Sequence, residues 1–375
     1  MNEQVALTPR VARLRADRVT LAHGGGGKAM RDLIEDVFVS TFQPDGMEDQ
    51  ARLQSALLAE PGAQLAFTTD SFVVQPIEFP GGDIGRIAVC GTVNDLAVGG
   101  ARPLWLSAAF IIEEGCEVAL LRRVVASMRA AADEAGVRIV TGDTKVVERG
   151  AADRLFVTTA GVGVIPPGRM LSAERVQPGD VAIVNGVLGD HGATILAARG
   201  DMALETDIAS DCRPLGDLME AVIAAAPGVR CARDATRGGL ASALNEIAQA
   251  SAVGIEIEEA TLPLRAEVKG VCELLGLDPL YLANEGPWCC SFPKAKRGRR
   301  LPRCAPHRLD GRRRSSAARS NRAMPAWSCA AISGQPNRRH AGRRTTSAHL
   351  LKEKRPCSSP DRARISRRNG ACART

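Results

Sequence analysis

The stretch Pro103-Leu-Trp-Leu-Ser-Ala-Ala-Phe-Ile-Ile112 is apolar at both odd and even positions, which predicts a central strand covered on both faces. Helical and strand patterns alternate around it. They comprise a helix over about Ile84–Val98, an amphipathic helix over Glu117–Ala135, and strands at Leu65–Val74, Val137–Val140 and Leu155–Val164. This alternation predicts an α/β (α+β) domain over residues 19–166 that ends at a Pro-Pro-Gly linker.

A second unit begins after the linker, at about Val176. Its patterns predict strands at Val181–Asn185 and Gly254–Ile257, and helices at Ala193–Arg199, Leu215–Ala225, Leu240–Ser251 and Ala266–Leu275. No period of 2 or 3.6 residues continues past Gly286. We therefore expect an incomplete second domain over residues 176–286, and segments without fixed structure over 1–18 and 287–375.

Charge and cysteine content also change at Gly286. Residues 287–375 hold 24 Lys and Arg against three acidic residues, a net charge of +21, whereas the residues before them carry −14. The five cysteines of the body are widely spaced and fit buried free thiols. The sequence has no secretory signal pattern and no run of ~20 apolar residues. We expect a cytoplasmic protein without membrane contact, and the 3% aromatic content argues against a base-stacking platform for single-stranded nucleic acid.

A glycine run follows the first short strand pattern. Gly24, Gly25, Gly26 and Gly27 offer free backbone N–H groups, and Lys28 adds a cation, which is typical of a phosphate-binding loop. The run is not a Walker A loop, because the GxxxxGK[ST] pattern fails at Ala29. A flexible surface turn is the competing interpretation.

Four aspartates lie between small or hydroxyl residues. We expect Asp70, Asp143 and Asp234 at strand ends or in loops, and Asp95 on a glycine-rich helix. Strand ends are where open α/β folds bind ligands. Several carboxylates without Cys or His neighbours suit Mg²⁺ that bridges phosphates. Any one of them could instead be an ordinary cap or turn residue.

Three further residues could take part in chemistry. Lys145 could stabilise negative charge on a phosphoryl group, or it could be an exposed lysine at a strand end. Glu285 could be a general base or a turn residue, and His191, in Gly-Asp-His-Gly, fits a structural loop histidine better than a functional one.

Taken in order, the motifs of residues 19–286 resemble those of the HypE family, the hydrogenase maturation carbamoyl dehydratases. The matching stretches are Leu-Ala-His-Gly-Gly-Gly-Gly (21–27), Thr-Thr-Asp-Ser-Phe-Val-Val (68–74), Phe-Pro-Gly-Gly-Asp-Ile-Gly (79–85), Cys-Gly-Thr-Val-Asn-Asp-Leu-Ala-Val (90–98), Phe-Ile-Ile-Glu-Glu-Gly (110–115), Thr-Gly-Asp-Thr-Lys-Val-Val (141–147), Leu-Gly-Asp-His-Gly-Ala-Thr (188–194), Arg-Asp-Ala-Thr-Arg-Gly-Gly (233–239), Gly-Val-Cys-Glu-Leu-Leu-Gly-Leu-Asp (270–278) and Ala-Asn-Glu-Gly (283–286). The wider superfamily includes selenophosphate synthetase, which would carry a Cys or selenocysteine in the glycine loop, and this chain has none there.

The resemblance implies a two-domain fold like that of aminoimidazole ribonucleotide synthetase, dimerised through the N-terminal domains. It implies ATP and Mg²⁺ in a cleft between domains and subunits, and ATP-dependent dehydration of a cysteine S-carboxamide to a thiocyanate, which donates the cyanide ligand of [NiFe] hydrogenase. The partners implied are the carbamoyltransferase HypF and the HypC–HypD complex. The site residues implied are Asp70, Asp95 and Asp143 for metal, the loop Gly24–Lys28 with Asp70, Asn94, Thr144 and Asp234 for ATP, and Lys145 and Glu285 for catalysis.

The chain departs from the family at its C-terminal end. Members of the family end in Pro-Arg-Ile-Cys, whereas this chain ends Gly-Ala-Cys372-Ala-Arg-Thr. The resemblance is expected to stop at Gly286. Out-of-frame reading of GC-rich DNA gives mainly Arg, Ala, Pro, Gly, Ser and Cys, so a shifted reading frame explains the tail, and the chain is expected to be impaired.

Two other functions remain as alternatives. One is another ATP-dependent activity of the same superfamily. The other is nucleic-acid binding through the basic tail, which would attract phosphate backbones in a salt-dependent way. The tail shows no zinc-ligand spacing, heptads or basic amphipathic helix, so no specific nucleic-acid partner is expected.

Overall fold

The computed structural model describes residues 14–45, 50–200, 206–293 and 328–331. Most of the expected leader and of the expected tail therefore lies outside the described residues. The last residues of the leader do have a fixed position, because the Leu14 N–H donates to Asp36 Oδ2 (2.7 Å) and the Arg18 guanidinium donates to the Gly115 carbonyl (2.7 Å). No helix within the described ranges is both long and apolar enough to cross a membrane.

The first unit is a four-stranded sheet covered by helices. Its strands run in the order β1-β6-β4-β5, with β4 and β5 parallel and the other neighbours antiparallel. The elements are α1 (Lys28–Leu33), a π-helical continuation (Ile34–Val39), α2 (Ser40–Phe42), β1 (Gln64–Phe72), the short pair β2 (Glu78–Phe79) and β3 (Gly82–Asp83), α3 (Ile84–Val98), β4 (Arg102–Glu113), α4 (Val118–Ala135), β5 (Arg138–Val147) and β6 (Leu155–Ile165). The α/β prediction for this unit is confirmed.

Helix α3 is buried on almost every side. Asp83 caps its N-terminus by accepting the Arg86 N–H (2.9 Å). Glycine permits close packing on two faces: a Cβ at Gly85 would meet a carbonyl of α4, and a Cβ at Gly91 would meet the Phe72 ring at 2.9 Å. The C-terminal end of α3 enters the core of the second unit, so this helix joins the two units.

The second unit contains another four-stranded sheet, in the order β10-β7-β9-β8. Its elements are β7 (Asp180–Val184), α5 (Asp190–Ala198), α6 (Gly216–Ala225), β8 (Cys231–Asp234), α7 (Gly239–Ser251), α8 (Ala266–Leu275), β9 (Trp288–Pro293) and β10 (Ser328–Ala331). The prediction of a strand at Gly254–Ile257 is wrong, since only Glu256 forms an isolated β-bridge within that range.

Strand β9 extends the second unit past the expected boundary at Gly286. It lies between β7 and β8 and pairs antiparallel with both. Trp288 and Cys289 are fully buried there. The sequence prediction failed because a six-residue segment that follows Pro287 and ends in Pro293 shows no clear period, yet it fills the centre of a sheet.

Candidate functional site

Four of the expected site carboxylates gather where the two units meet. Asp70 is on β1, Asp95 is on α3, Asp234 ends β8, and Glu285 precedes β9. Burial raises the pKa of Asp95 to about 6, and the charges of Asp234 and Asp70 add to the rise, whereas a 3.1 Å hydrogen bond from the Thr68 hydroxyl opposes it. The sequence therefore places three carboxylates close enough to repel one another.

Asp70 lies in the interior of β1, not at a strand end as expected, and it also contacts the second unit. Arg237, in the loop before α7, donates to Asp70 Oδ1 at 2.9 Å. We call the region between the two units that holds Asp70, Asp95, Asp234 and Glu285 the cleft. The Arg237 side chain is 83% exposed, so its ion pair with Asp70 lies at the open edge of this cleft. Sequence analysis did not single out Arg237, although it is part of the Arg-Asp-Ala-Thr-Arg-Gly-Gly motif.

Glu285 is fixed through its neighbours. Asn284, which is 1% exposed, accepts the Gly189 N–H (2.7 Å) and donates to the carbonyls of Ala235 (2.8 Å) and Leu282 (2.9 Å). The Glu285 N–H donates to Asp211 Oδ1 at 2.8 Å. These contacts tie the Asn-Glu turn to α5, to the loop after β8 and to the Asp211 segment.

The surroundings of Glu285 favour its protonated form. Burial raises the pKa of Glu285 well above its usual range, and the charge of Asp211 adds to the rise. Burial also raises the pKa of Asp211 to about 7. The imidazole Nε2 of His191 lies 4.0 Å from Glu285 Oε1. A buried carboxyl group with a raised pKa is the kind of group that serves as a general base near neutral pH.

Lys145 and Asp143 lie on the other side of the first sheet. In the strand pairing, Asp70 is aligned with Thr159, Ala108 and Gly142, so their side-chain positions share one face. Side chains alternate along a strand, and Asp143 and Lys145 therefore point to the opposite face. The expectation that Asp143 follows a strand end is wrong, because β5 continues to Val147.

One chain thus does not assemble the expected metal ligands Asp70, Asp95 and Asp143. Within residues 14–45, 50–200 and 206–293, no three His, Cys, Asp or Glu side chains converge on a metal position. The face that carries Asp143 and Lys145 also exposes large apolar side chains, which are Leu65, Phe67, Val73 and Ile111.

The glycine loop begins beside β5. A Cβ at Gly24 would meet the Val146 side chain at 2.9 Å, whereas no atom of the described residues lies within 4 Å of such a Cβ at Gly26 or Gly27. Gly26 has φ +77°, a conformation that glycine favours, and Lys28 forms an ion pair with Asp32 on the surface. Gly25, between Gly24 and Gly26, is exposed.

Thr144 borders a cavity of about 580 Å³ between the sheet and the helical segment of residues 28–42. The cavity is lined by aromatic and polar groups, among them Phe38, Trp105, Phe110, Gly142, Asp143 and Thr144. The Thr144 hydroxyl is buried and has no hydrogen-bond partner among the described residues. An orphaned hydroxyl at a cavity of this size is suited to a ligand.

Asn94 connects the two units. Its amide donates to the carbonyls of Arg213 (3.1 Å) and Glu285 (3.4 Å), and its oxygen accepts the Leu215 N–H (2.8 Å). These contacts hold the Asp211 segment against α3. Its expected role in ATP binding stays a prediction.

The fold and the cleft define the chain as a two-domain protein related to AIR synthase. The family models for the N-terminal and C-terminal domains of AIR synthase related proteins match residues 47–165 and 177–310. The chain is 69% identical over 329 residues to the carbamoyl dehydratase HypE of Rhodobacter capsulatus, a match that covers 88% of this chain and 92% of that protein. The chain belongs to the HypE family of carbamoyl dehydratases, which act in hydrogenase maturation.

Two solved structures extend the comparison. One is a HypE in complex with ATP, with 47% identity and a TM-score of 0.68 over 73% of this chain and 81% of that chain. The other is a HypE–HypF complex, with 47% identity and a TM-score of 0.60 over 70% of this chain and 84% of that chain.

The comparisons also correct the expected end of the resemblance. The C-terminal family model continues to residue 310, and a match of 329 residues is longer than the 286 residues that precede the tail. The Rhodobacter capsulatus relative therefore matches part of the tail. The hypothesis of a shifted reading frame after Gly286 must therefore also explain why residues beyond 286 match this relative in part.

Proposed function

We propose that the chain uses ATP to dehydrate a cysteine S-carboxamide to a thiocyanate in the cleft between its two units. The observation that carries this proposal is the buried Glu285, which is tied to Asp211 through its backbone and lies within the electrostatic reach of Asp70 and Asp234. In the proposed reaction the amide oxygen attacks the γ-phosphoryl group, and ADP leaves. Loss of both amide protons, one to a protein base and one to solvent, and departure of the oxygen as phosphate then leave the C≡N group. Glu285 takes one of the amide protons.

ATP is the proposed phosphoryl donor. The likeness to a HypE solved with ATP supports it, as do the 580 Å³ cavity with its orphaned Thr144 hydroxyl and the carboxylates of the cleft. In this proposal the glycine loop Gly24–Gly27 with Lys28 contacts the phosphates through its backbone N–H groups. Asn94 and Asp234 complete the ATP-binding set.

Mg²⁺ fits the donor set of the cleft, because Asp70 and Asp95 offer only carboxylate oxygens and their repulsion needs a cation to relieve it. When bound there, Mg²⁺ would neutralise charge on the transferring phosphoryl group. Asp143 would join this site from a second copy of the chain.

A homodimer would bring the separated residues together. The sheet face with Leu65, Phe67 and Val73 has the apolar character of an interface, and it also carries Asp143 and Lys145. If this face of one chain covers the cleft of another, Lys145 reaches the phosphoryl group and stabilises its charge. Each site would then combine Glu285 of one chain with Lys145 of the other.

The proposed partners are the carbamoyltransferase HypF, supported by the likeness to a HypE–HypF complex, and the HypC–HypD complex that receives the cyano group. Cys372 lacks the Pro-Arg-Ile context, and the expected impairment of self-modification stays a prediction. Self-carbamoylation of Cys372 with HypF and carbamoyl phosphate would contradict this impairment. Sequencing the gene across the Ala-Asn-Glu-Gly codons tests the shifted frame, which fails if no single-base shift opens a frame ending in Pro-Arg-Ile-Cys.

The activity is tested by ATP turnover with a synthetic S-carbamoyl peptide ending in Pro-Arg-Ile-Cys, supplied in trans. Turnover should depend on the peptide and yield its thiocyanate. Lys145→Ala and Glu285→Gln should each abolish turnover, whereas the exposed control variants Lys269→Ala and Glu273→Gln should retain it. Full activity of Lys145→Ala would refute the role of Lys145.

Mixing the two inactive variants tests the composite site. In a two-fold dimer, a heterodimer of Lys145→Ala and Glu285→Gln chains has one intact site, so random mixing should restore about a quarter of the activity. If both residues served a site within one chain, mixing would restore nothing.

A further inference from the structure

His191 lies beside Glu285, at the boundary between the two units. It occupies the first turn of α5 and is 7% exposed. Its ring packs against that of Phe79 of β2 in a T-shaped arrangement, with ring centroids 5.6 Å apart and planes at 80°. The imidazole is therefore held by packing from both units, and it has little freedom to turn.

The hydrogen bonds of Ser210 select one tautomer of this histidine. Ser210 Oγ accepts the Cys212 N–H at 3.3 Å and lies 2.9 Å from His191 Nδ1. A hydroxyl oxygen can accept two hydrogen bonds, but the hydroxyl hydrogen also needs an acceptor, and among the described residues Nδ1 is the acceptor within reach of Ser210 Oγ. Nδ1 then accepts from Ser210, and the proton of the neutral ring is on Nε2. Burial lowers the pKa of His191 to about 4, so the ring stays neutral at physiological pH.

The protonated nitrogen faces Glu285, since Nε2 lies 4.0 Å from Oε1. Within the described ranges, no Lys or Arg comes within ion-pair distance of Glu285. The charged or titratable groups that act on Glu285 oppose its ionisation, and they are Asp211, Cys90, Asp234 and Asp70. Among the described residues, His191 is thus the one basic side chain within 4.0 Å of the Glu285 carboxyl group.

We propose that His191 is a positioning residue whose neutral Nε2–H aims the Glu285 carboxyl group at the amide and favours its ionised form against the opposing effect of burial. This inference rests on the proposed role of Glu285. The 4.0 Å separation is longer than a hydrogen bond, and the proposal requires it to close when the substrate binds, as is common for contacts at catalytic groups.

The tautomer can be measured without any activity. The full chain contains five histidines, so ¹⁵N-histidine NMR spectra of the chain and of a His191→Asn variant identify the His191 signals. We expect the Nε2–H tautomer and no protonation between pH 8 and about 5. Ser210→Ala should mix the two tautomers, and Glu285→Gln should shift the Nε2 signal. A proton on Nδ1, an imidazolium at pH 7, or an Nε2 signal that ignores Glu285→Gln would overturn the inference.

Two substitutions separate positioning from packing. The side-chain amide of Gln can place its nitrogen near the position of Nε2, whereas that of Asn reaches only the position of Nδ1. His191→Gln should keep peptide-dependent ATP turnover within about threefold of the parent chain, while His191→Asn should lower it about tenfold or more. His191→Asn should also move the acidic limb of the pH–rate profile to higher pH, because Glu285 then holds its proton more tightly.

The outcomes distinguish the inference from the function on which it rests. An active Glu285→Gln variant would remove the proposed base itself. An inactive Glu285→Gln variant together with an unshifted acidic limb in His191→Asn would overturn the role of His191 alone. Equal losses in both His191 variants, with matching falls in melting temperature, would mean that the residue only packs.

Discussion

The buried Asp211 carboxyl group makes the stability of the second unit depend on pH. Its Oδ1 accepts the Glu285 N–H, whereas its Oδ2 is buried without a partner among the described residues. Replacing Asp211 with Asn keeps an oxygen for the Glu285 N–H and removes the charge. The variant therefore isolates the cost of burying a carboxylate at this position.

The sign of the effect follows from the direction of the pKa shift. Burial raises the pKa of Asp211 from 3.8 to about 7, so the folded chain binds more protons than the unfolded chain between these values. The favourable contribution of Asp211 is complete below about pH 4 and is lost as the pH rises through about 7. At roughly 1.4 kcal/mol per pKa unit, the loss amounts to at most about 4 kcal/mol.

Urea unfolding, followed by tryptophan fluorescence and circular dichroism, measures this loss. Asp211→Asn should exceed the parent chain in unfolding free energy by only about 1 kcal/mol at pH 4.5, and by about 3–4 kcal/mol at pH 8. Asp207→Asn, at an exposed position on the same segment, is the matched control and should show no such divergence. A difference for Asp211→Asn that stays constant to within about 0.5 kcal/mol across this range would refute the reasoning.

Three further substitutions test the framework of the site. A methyl group at Gly286 would overlap the Asp211 carbonyl, so Gly286→Ala should lower both the melting temperature and the peptide-dependent turnover. Its control is Gly270→Ala on α8, where the added methyl group meets no atom of the described residues and should raise stability by about 0.5–1 kcal/mol. Equal shifts in melting temperature for the two variants would contradict this difference. Asn284→Ala should lower the unfolding free energy in urea by roughly 2–4 kcal/mol, because the buried Gly189 N–H loses its acceptor. Asn245→Ala on α7, which removes a single bond to the Ala241 carbonyl, is the control, and an equal loss in both variants would contradict this reasoning. Arg237→Ala should change stability by less than about 1 kcal/mol because its ion pair is exposed, yet weaken ATP binding in calorimetry; unchanged ATP affinity would exclude Arg237 from the site.

Elements with a strong local pattern were predictable from the sequence. The bounds of α3 and α8 agree with the predicted ranges, and α4 begins one residue later than expected, because capping and amphipathic spacing are local properties. The carboxylates that gather in the cleft could also be selected, because Asp70, Asp95 and Asp234 lie between small or hydroxyl residues, although the same pattern also selected Asp143, which points to the other face of the sheet.

Features that depend on distant contacts were not predictable. Asp211 lies in a Ser-Asp-Cys-Arg segment that reads as an ordinary loop, and it gains its importance only because Glu285, 74 residues away, donates to it. The separation of Lys145 from Glu285 depends on the length and register of β5. A strand that ended at Val140 would leave Lys145 in a loop, whereas β5 continues to Val147 and fixes Lys145 on the face opposite to Asp70. Strand β9 has no periodic pattern and exists through its two neighbours.

The shared position of α3 has a consequence for dissecting the gene. Ala97 and Val98 belong to the same apolar cluster as Trp288, Leu215 and Met219 of the second unit. A fragment cut at the Pro-Pro-Gly linker would leave the end of α3 in water, and a fragment that stops before Trp288 would remove the strand between β7 and β8. Expression of either half alone should therefore give aggregated material, and the two halves should become soluble only when they are produced together.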